Sequence, residues 1–386
     1  MRVLHVIPSI SPLRGGPTVA ALDMAAAQRQ LGLDARLLST DDHGPGVLPD
    51  LPTGQWCEQQ GVPVWLCRRW RAPQRLLRDA AIAPALPQWL QGQLAEVDLL
   101  HVHALFAFPS TVAMLLARRA GVPYVVSTIG QLCSWSLSQS PRRKQAMLTL
   151  LERANLAAAA ALHVTSPAEA QQTRSLGLPA PCLQIPLGVA PPPWLSDPAG
   201  PKQPSAVRLL FLSRLHPKKQ LEVLLQALAL VQQRHPSLPW QLQIAGQGEP
   251  AYEASLRRLA SELGVASRCR WLGFVTGEAK WRLLAGASWF VLPSALENFG
   301  IAVVEALAAG TPVLISPEVA LAPTVAAAGA GVVCSPEPEA MADCLSGLLQ
   351  HPDPGWRQRA QDLAGEQFAW PAIARRFASA YQDLAR

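Results

Sequence analysis

The stretch "SWFVLPSALENFGIAVVEALAAGTPVLIS" (residues 288–316) reads as strand, loop, helix and strand. "SWFVLPS" and "TPVLIS" are short apolar runs of the kind found in strands buried on both faces of a parallel sheet. "GIAVVEALAAG" between them is a helix bounded by glycine. A strand that returns through a helix predicts a βαβ unit and an α/β fold. Ligands of such sheets bind beyond the carboxyl ends of the strands. That is where this stretch puts Glu297 and Asn298, and Glu305 follows eight positions later, one turn past Ile301 on the same helical face.

The same alternation extends in both directions. On the N-terminal side, "RVLHVIP" (2–8) is a strand, the glycine-bearing "SPLRGGP" a loop, "TVAALDMAAAQRQLG" a helix and "DARLLS" a strand. "DLLHVH" (98–103), "STVAMLLARRAG", "PYVVST" and "AALHVTS" continue it as strand, helix, strand and strand. "APPPWLSDPAGPKQPSA", near 190–205, is rich in proline and poor in core-formers, which marks a linker. The order then restarts with "VRLLFLS" and runs to a terminal amphipathic helix, "AWPAIARRFASAYQDLAR". Two Rossmann-like domains are expected: residues 1–195, joined by the helix 369–386, and residues 205–368.

The chain has 386 residues, 49% of them hydrophobic and 16% charged, so it is globular and not disordered. Its net charge of +6 is concentrated in the first half, where 16 Lys/Arg face 11 Asp/Glu in residues 1–195, against 17 and 16 in 196–386. An excess of this size suits a small anion or an anionic membrane surface, and no aromatic–basic interleaving argues for nucleic acid. Seven scattered cysteines without a CxxC pair predict neither disulfides nor zinc, and a reducing, cytoplasmic setting. "MRVLHVIPSI" is too short and proline-broken to read as a signal peptide.

Three loops after predicted strands carry the chemistry. In "SRLHPKKQ" (213–220), Arg214 and Lys219 flank a loop before a helix, where free backbone amides already favour anions. Two cations there suit a diphosphate, and on spacing alone a solvated basic turn fits as well. "AGQGEP" (245–250) places Gly246 where a ligand can approach the backbone, although many such loops are only turns. In the opening stretch, the amides of Phe299, Gly300 and Ile301 leave the helix start free to bind phosphate or sugar oxygens. A carboxylate at Glu305 can accept both hydroxyls of a ribose, and Glu297 can reach a sugar hydroxyl. Two surface acids explain the same pattern.

Together "SRLHPKKQ", "AGQGE" and "PSALENFGIAVVEALAAGTPVLIS" resemble glycosyltransferase family 4, retaining enzymes of the GT-B fold. The resemblance covers nearly the whole chain, including "GGP", "DLLHVH" and the terminal helix. It implies two Rossmann-like domains facing across a cleft, with the C-terminal helix returning to the N-terminal, acceptor-binding domain. It implies a UDP- or GDP-linked sugar as donor, no other cofactor, and a glycan, glycolipid or other hydroxyl acceptor. Arg214 and Lys219 would hold the diphosphate, Glu305 the ribose and Glu297 the transferred sugar, with Gly16 near the phosphates. Glu297, Arg214 and Lys219 are then the candidate catalytic residues. Fixed cations facing a departing diphosphate make a metal unnecessary, and no DxD motif is present to bind one.

Three departures stand out. Family members commonly carry P-H-G after the strand "PYVVS", and this chain has Ile129 where the histidine would lie beside the sugar. His101 and His103 end another strand, and His103 is retained as a sugar-adjacent candidate, although such a histidine is more often structural. "IPLGV" has Leu187 for the usual asparagine, and "SRLHPKKQ" ends in Gln220 where glycine is usual. Ile129 admits a second reading, a non-catalytic relative that keeps its nucleotide pocket. It also suggests a donor lacking a hydroxyl at that point. "CRRWRAPQRLLRDA", with Arg68, Arg69, Arg71, Arg75, Arg78 and Trp70, is expected to make peripheral contact with an anionic membrane, or else to be a solvated loop and helix. The domains are expected to close over the donor.

Overall fold

The structure is a computed structural model that describes residues 1–386 except 45, 72, 73, 75–77, 140, 197–206, 352 and 386. Most of the expected linker therefore lies outside the described residues, as does Arg75. The chain divides into two compact units, Met1–Gly188 with Trp370–Arg386, and Val189–Ala369.

The first unit is built on strands β1 (Arg2–Ser9), β2 (Asp34–Thr40), β5 (Trp56–Gln59), β6 (Val62–Cys67), β7 (Leu99–His103), β8 (Tyr124–Ser127), β9 (Ala161–Val164) and β10 (Cys182–Gln184), with a separate two-stranded ladder of β3 (Asp42–His43) and β4 (Gly46–Val47). Sheet order is β10-β9-β8-β7-β1-β2-β6-β5, so the strand order reverses between β1 and β7. All neighbours are parallel except β5 and β6, an edge hairpin that was not among the elements read from sequence.

Adjacent residues of one strand feed opposite cores, which is why apolar residues dominate these strands without strict alternation. Leu4, Leu100, Val126 and Leu162 pack with Leu86, Leu90 and Met114 on one face. Val3, Leu99, Val125 and Ala161 pack with Met24 on the other. That second core is completed by the Trp370–Leu384 helix, which buries Trp370, Ile373, Ala374, Phe377 and Tyr381 at helical spacing. Leu187 packs against the same cluster, so an apolar residue suits that position. Gly188 lies flat against Trp370: a Cβ there would stand 2.4 Å from the indole ring.

The second unit carries β11 (Val207–Leu212), β12 (Trp240–Ala245), β13 (Cys269–Gly273), β14 (Trp289–Leu292), β15 (Val313–Ile315) and β16 (Gly331–Val333). All pairs are parallel, in the order β13-β12-β11-β14-β15-β16. Counted within the unit this is 3-2-1-4-5-6, the doubly wound Rossmann order, whose ligand crevice opens where the order reverses, between β11 and β14. Both units are thus α/β with Rossmann-like sheets, as the alternation in sequence predicts. Among the described residues no helix is long and apolar enough to cross a membrane.

Candidate active site

In the second unit, the loops that leave β11 and β14 carry the predicted residues. After β11 the chain passes exposed Arg214 into a short 3-10 turn, Pro217–Lys219, and then into the Leu221–Arg234 helix. The helix start is held at Gln220 in the left-handed region, φ +52°. Glycine would adopt that conformation freely, and a side chain there is strained. Gln220 also leaves its buried Oε1 without a partner. His216 is held below its usual pKa by burial and then by Arg214, Lys218 and Lys219, a sign of the positive field over this loop.

The loop after β14 meets the same place. Ala295 N–H donates to the Lys218 carbonyl at 2.9 Å. Glu297 is pinned through its backbone, donating to Glu318 O and accepting from Ala320 N–H, each at 3.0 Å. Its carboxylate ion-pairs with the Lys219 ammonium, both largely but not fully covered. Gly300 caps the Ile301–Ala308 helix at φ +88°, and a Cβ there would press on Glu297 and Val303 at 3.2 Å. Phe299 turns inward, its ring 6.0 Å from that of Phe368, which leaves the backbone of the turn rather than this side chain to face a ligand. Asn298 lies on the same turn, between Glu297 and Phe299.

Glu305, one turn into that helix, ion-pairs with Lys280 at 2.6 Å, with side chains 10% and 16% exposed. Lys280, on the Gly277–Gly286 helix, was not singled out from sequence. Gly246 has a different reason from the one expected. A Cβ there would sit 1.8 Å from the Ser213 carbonyl, so the chain's own backbone makes the close approach. The structure thus brings Arg214, Lys219, Glu297, Gly300 and Glu305, with Lys280 added, onto the loops and helices that follow β11, β13 and β14 of one sheet. Each acid already has a cation beside it.

In the first unit the turn after β8 holds Ile129 at φ +50°, followed by Gly130 at φ +66°. A β-branched residue in this region is a genuine outlier. Its conformation is fixed by Glu169, a buried acid missed from sequence. That carboxylate accepts from Thr128 Oγ1 and Gly130 N–H at 2.6 Å each, and from Thr165 N–H at 2.7 Å and Thr165 Oγ1 at 2.8 Å. A signal existed: "SPAE" (166–169) has the S-x-x-E form of a helix capping box, and Ser166 does accept from Glu169 N–H.

Gly16 opens the helix Gly16–Gln30, with Gly15 capping it at φ +94°. The preceding residue, Arg14, makes a bidentate pair with buried Asp42 at 2.7 and 2.9 Å. Arg69 pairs with the same carboxylate and donates to the carbonyls of Gly44 and Gly46. Burial alone would raise the Asp42 pKa, but Arg14 and Arg69 outweigh it and hold it below the usual range. Arg69 is buried, so it is not available to a lipid surface, and the membrane reading of "CRRWRAPQRLLRDA" loses that cation.

His103 is also buried, within a network of four histidines. His5 bonds His103 at 3.0 Å and Gln28 at 2.8 Å. His101 bonds Tyr381 Oη at 2.5 Å and Ser127 Oγ at 2.7 Å, and Ser127 in turn meets His163 at 2.6 Å. His5, His101 and His103 bring nitrogens within 4.8 Å of one another, a grouping that could hold a metal ion, although the ring nitrogens of His5 and His101 are already engaged by these partners. Burial lowers the pKa of His5 to about 4 and pushes His101 and His103 well below their usual value, with neighbouring histidines adding to the effect on the latter two. Burial disfavours the charged form of all four rings.

Known proteins share both halves. Residues 196–364 match the family model described as glycosyl transferases group 1, and residues 15–188 match the glycosyl transferase 4-like domain. The GDP-mannose:cellobiosyl-diphosphopolyprenol alpha-mannosyltransferase of Komagataeibacter xylinus is 28% identical, over 100% of this chain and 93% of that protein. The D-inositol 3-phosphate glycosyltransferase of Frankia alni is 26% identical, over 98% of each. Among solved structures, Anabaena Alr3699/HepE in complex with UDP-glucose superposes with a TM-score of 0.73 at 20% identity, covering 99% of this chain and 100% of that one. Sucrose-phosphate synthase from Thermosynechococcus elongatus gives 0.74 at 20%, over 100% and 99%.

Proposed function

The chain belongs to the group 1 glycosyl transferases of family 4 and is a glycosyltransferase, and on that premise we propose that it transfers a sugar, with retention and without a metal, from a UDP- or GDP-linked donor to a hydroxyl of a glycan or lipid-linked acceptor. The observation that carries the donor assignment is the pair of ion pairs, Lys219–Glu297 and Lys280–Glu305, at the point where the second sheet reverses its order.

The diphosphate takes Lys219 and Arg214, together with the amides that open the Ile301–Ala308 helix. Glu305 accepts the two ribose hydroxyls and Glu297 a hydroxyl of the sugar. As the anomeric C–O bond breaks, negative charge moves onto the diphosphate, where these cations and amides are already fixed. The acceptor oxygen bonds to the anomeric carbon on the face the diphosphate leaves, and the departing phosphate oxygen takes the acceptor's proton. Glu297 and Glu305 are not a glycosidase acid pair, since one of them reads ribose far from the bond that breaks.

By the family resemblance, Ile129 stands where a histidine commonly meets the transferred sugar. It neither donates a hydrogen bond nor carries charge. A sugar hydroxyl pressed against it would lose a partner, whereas a methyl group or hydrogen packs well. A deoxy sugar or pentose fits that position best. The test is a thermal-shift and transfer panel of UDP-, GDP- and ADP-sugars with the wild type and Ile129→His, because a bound donor raises the melting temperature. Fast transfer of an ordinary hexose by the wild type, with no gain in the histidine variant, removes the apolar-pocket reading. Binding without turnover of any donor in either protein supports the non-catalytic one.

A further inference from the structure

A continuous helical run crosses the first unit as Pro141–Met147, a π-helical turn Leu148–Glu152, and Arg153–Ala157. Its inner face is settled by contacts. Leu148 and Glu152 are buried, Glu152 accepts from Thr111 Oγ1 at 2.5 Å, and Lys144 donates to the Ser136 carbonyl. The outer face is unusual. Leu150 is 77% and Leu151 50% exposed, the two largest values among the exposed large hydrophobic residues of the described chain. The π turn leaves three consecutive residues, 149–151, facing outward. Turns of this kind are rare and recur at functional sites. Arg142 and Arg153 are exposed on the same run, and the Ser134–Ser138 helix packed beside it shows Trp135 at 38%.

From Ile129 to Thr165 the sequence holds three arginines and a lysine, and its only acid is Glu152, which points inward. Bare leucines flanked by arginines, with no acid among them, form a surface that repels a basic partner and suits an anionic bilayer. The leucines and Trp135 enter the acyl boundary while the arginines stay at the headgroups. We infer that this face docks the enzyme on an anionic lipid membrane. The inference stands on surface features alone and extends beyond the donor reading above.

The experiment floats the full chain with vesicles of equal parts phosphatidylglycerol and phosphatidylcholine, and with phosphatidylcholine alone, at low and high salt. Wild type is expected to rise only with the anionic vesicles at low salt. Arg142→Gln/Arg153→Gln should lower vesicle affinity by about thirtyfold. Leu150→Gln/Leu151→Gln should lower it by about tenfold or more, since apolar anchors are lost. All four positions are exposed, so melting temperature and nucleotide-diphosphate binding by calorimetry should stay at wild-type values. Wild type left at the bottom of the gradient overturns the inference. So does unchanged flotation of both double variants, loss only in Arg68→Gln/Arg71→Gln, or a leucine-dependent dimer in sedimentation without lipid binding. Flotation without nucleotide binding would leave the docking face standing and remove the donor reading instead.

Discussion

Both units are built on largely parallel sheets, and they use polar side chains in opposite ways. In the first, His5 bonds His103 and Gln28, His101 bonds Tyr381 and Ser127, and His163 bonds Ser127 and Ile185 O, all within a buried network of hydrogen bonds. In the second, Lys219 and Glu297, and Lys280 and Glu305, meet as simple pairs beyond the strand ends, with part of each side chain still open. A closed network fixes a fold, because removing one member strands the others. An open ion pair can exchange a partner for a ligand of the same charge. The histidines of the closed network lie within the strands and the open pairs lie beyond the strand ends.

The sharpest way to break this comparison is Lys219→Ala. It is expected to lower kcat by about a hundredfold or more, as for loss of a fixed charge-stabilising donor, and to weaken nucleoside-diphosphate binding much more than nucleoside binding in calorimetry. Equal losses for the two ligands would put Lys219 with the structural groups. Acidification tests the other side. A histidine whose folded pKa lies below its unfolded value is protonated first in the unfolded chain, so stability is intact at neutral pH and falls as the pH drops through about 6.5 toward the value near 4 at His5. His5 alone accounts for roughly 3 kcal/mol across that window. Thermal melts from pH 7 to 4.5 should show the first unit loosening, and His5→Gln should flatten the dependence. A smaller effect is expected of Lys280→Met, about a tenfold loss of nucleoside affinity, restored by Lys280→Arg and absent for a dideoxyribose analogue. The mildest is Gln220→Gly, which should raise stability by about 1 kcal/mol and shift the chemical-denaturation midpoint upward without changing kcat.

Much of this was legible in the sequence, and particular residues show where legibility ends. The strands in "RVLHVIP" and "SWFVLPS" are dominated by apolar residues, with His5 the buried exception, because both of their faces are covered, and that pattern survives without any knowledge of neighbours. Arg214, Lys219, Glu297 and Glu305 could be singled out because each follows a strand in a chain poor in charge. Lys280 could not, since its meaning lies in a partner 25 residues on that faces it across two helices. Glu169 displayed a capping pattern, but its carboxylate turned to the 128–130 loop instead. The histidine network depends on Tyr381 and Gln28, which are 353 positions apart. No local pattern carries such a pairing. The strain at Ile129 and Gln220 is likewise a property of the backbone path, which their residue types alone argue against.

The packing of the Trp370–Leu384 helix against Val3, Met24 and Leu99 bears on how the protein is made. A ribosome delivers the strands of the first sheet early, but the side chains that seal one of its faces arrive only after all of residues 189–369 has been synthesised. The contiguous second unit can fold as it emerges, whereas the first waits for part of the cover on one face of its sheet. During that interval the apolar surface that Trp370, Ile373, Phe377 and Tyr381 later cover stays open, and transiently open apolar surface favours aggregation. Birth order therefore runs opposite to sequence order: the unit encoded first is the one completed last.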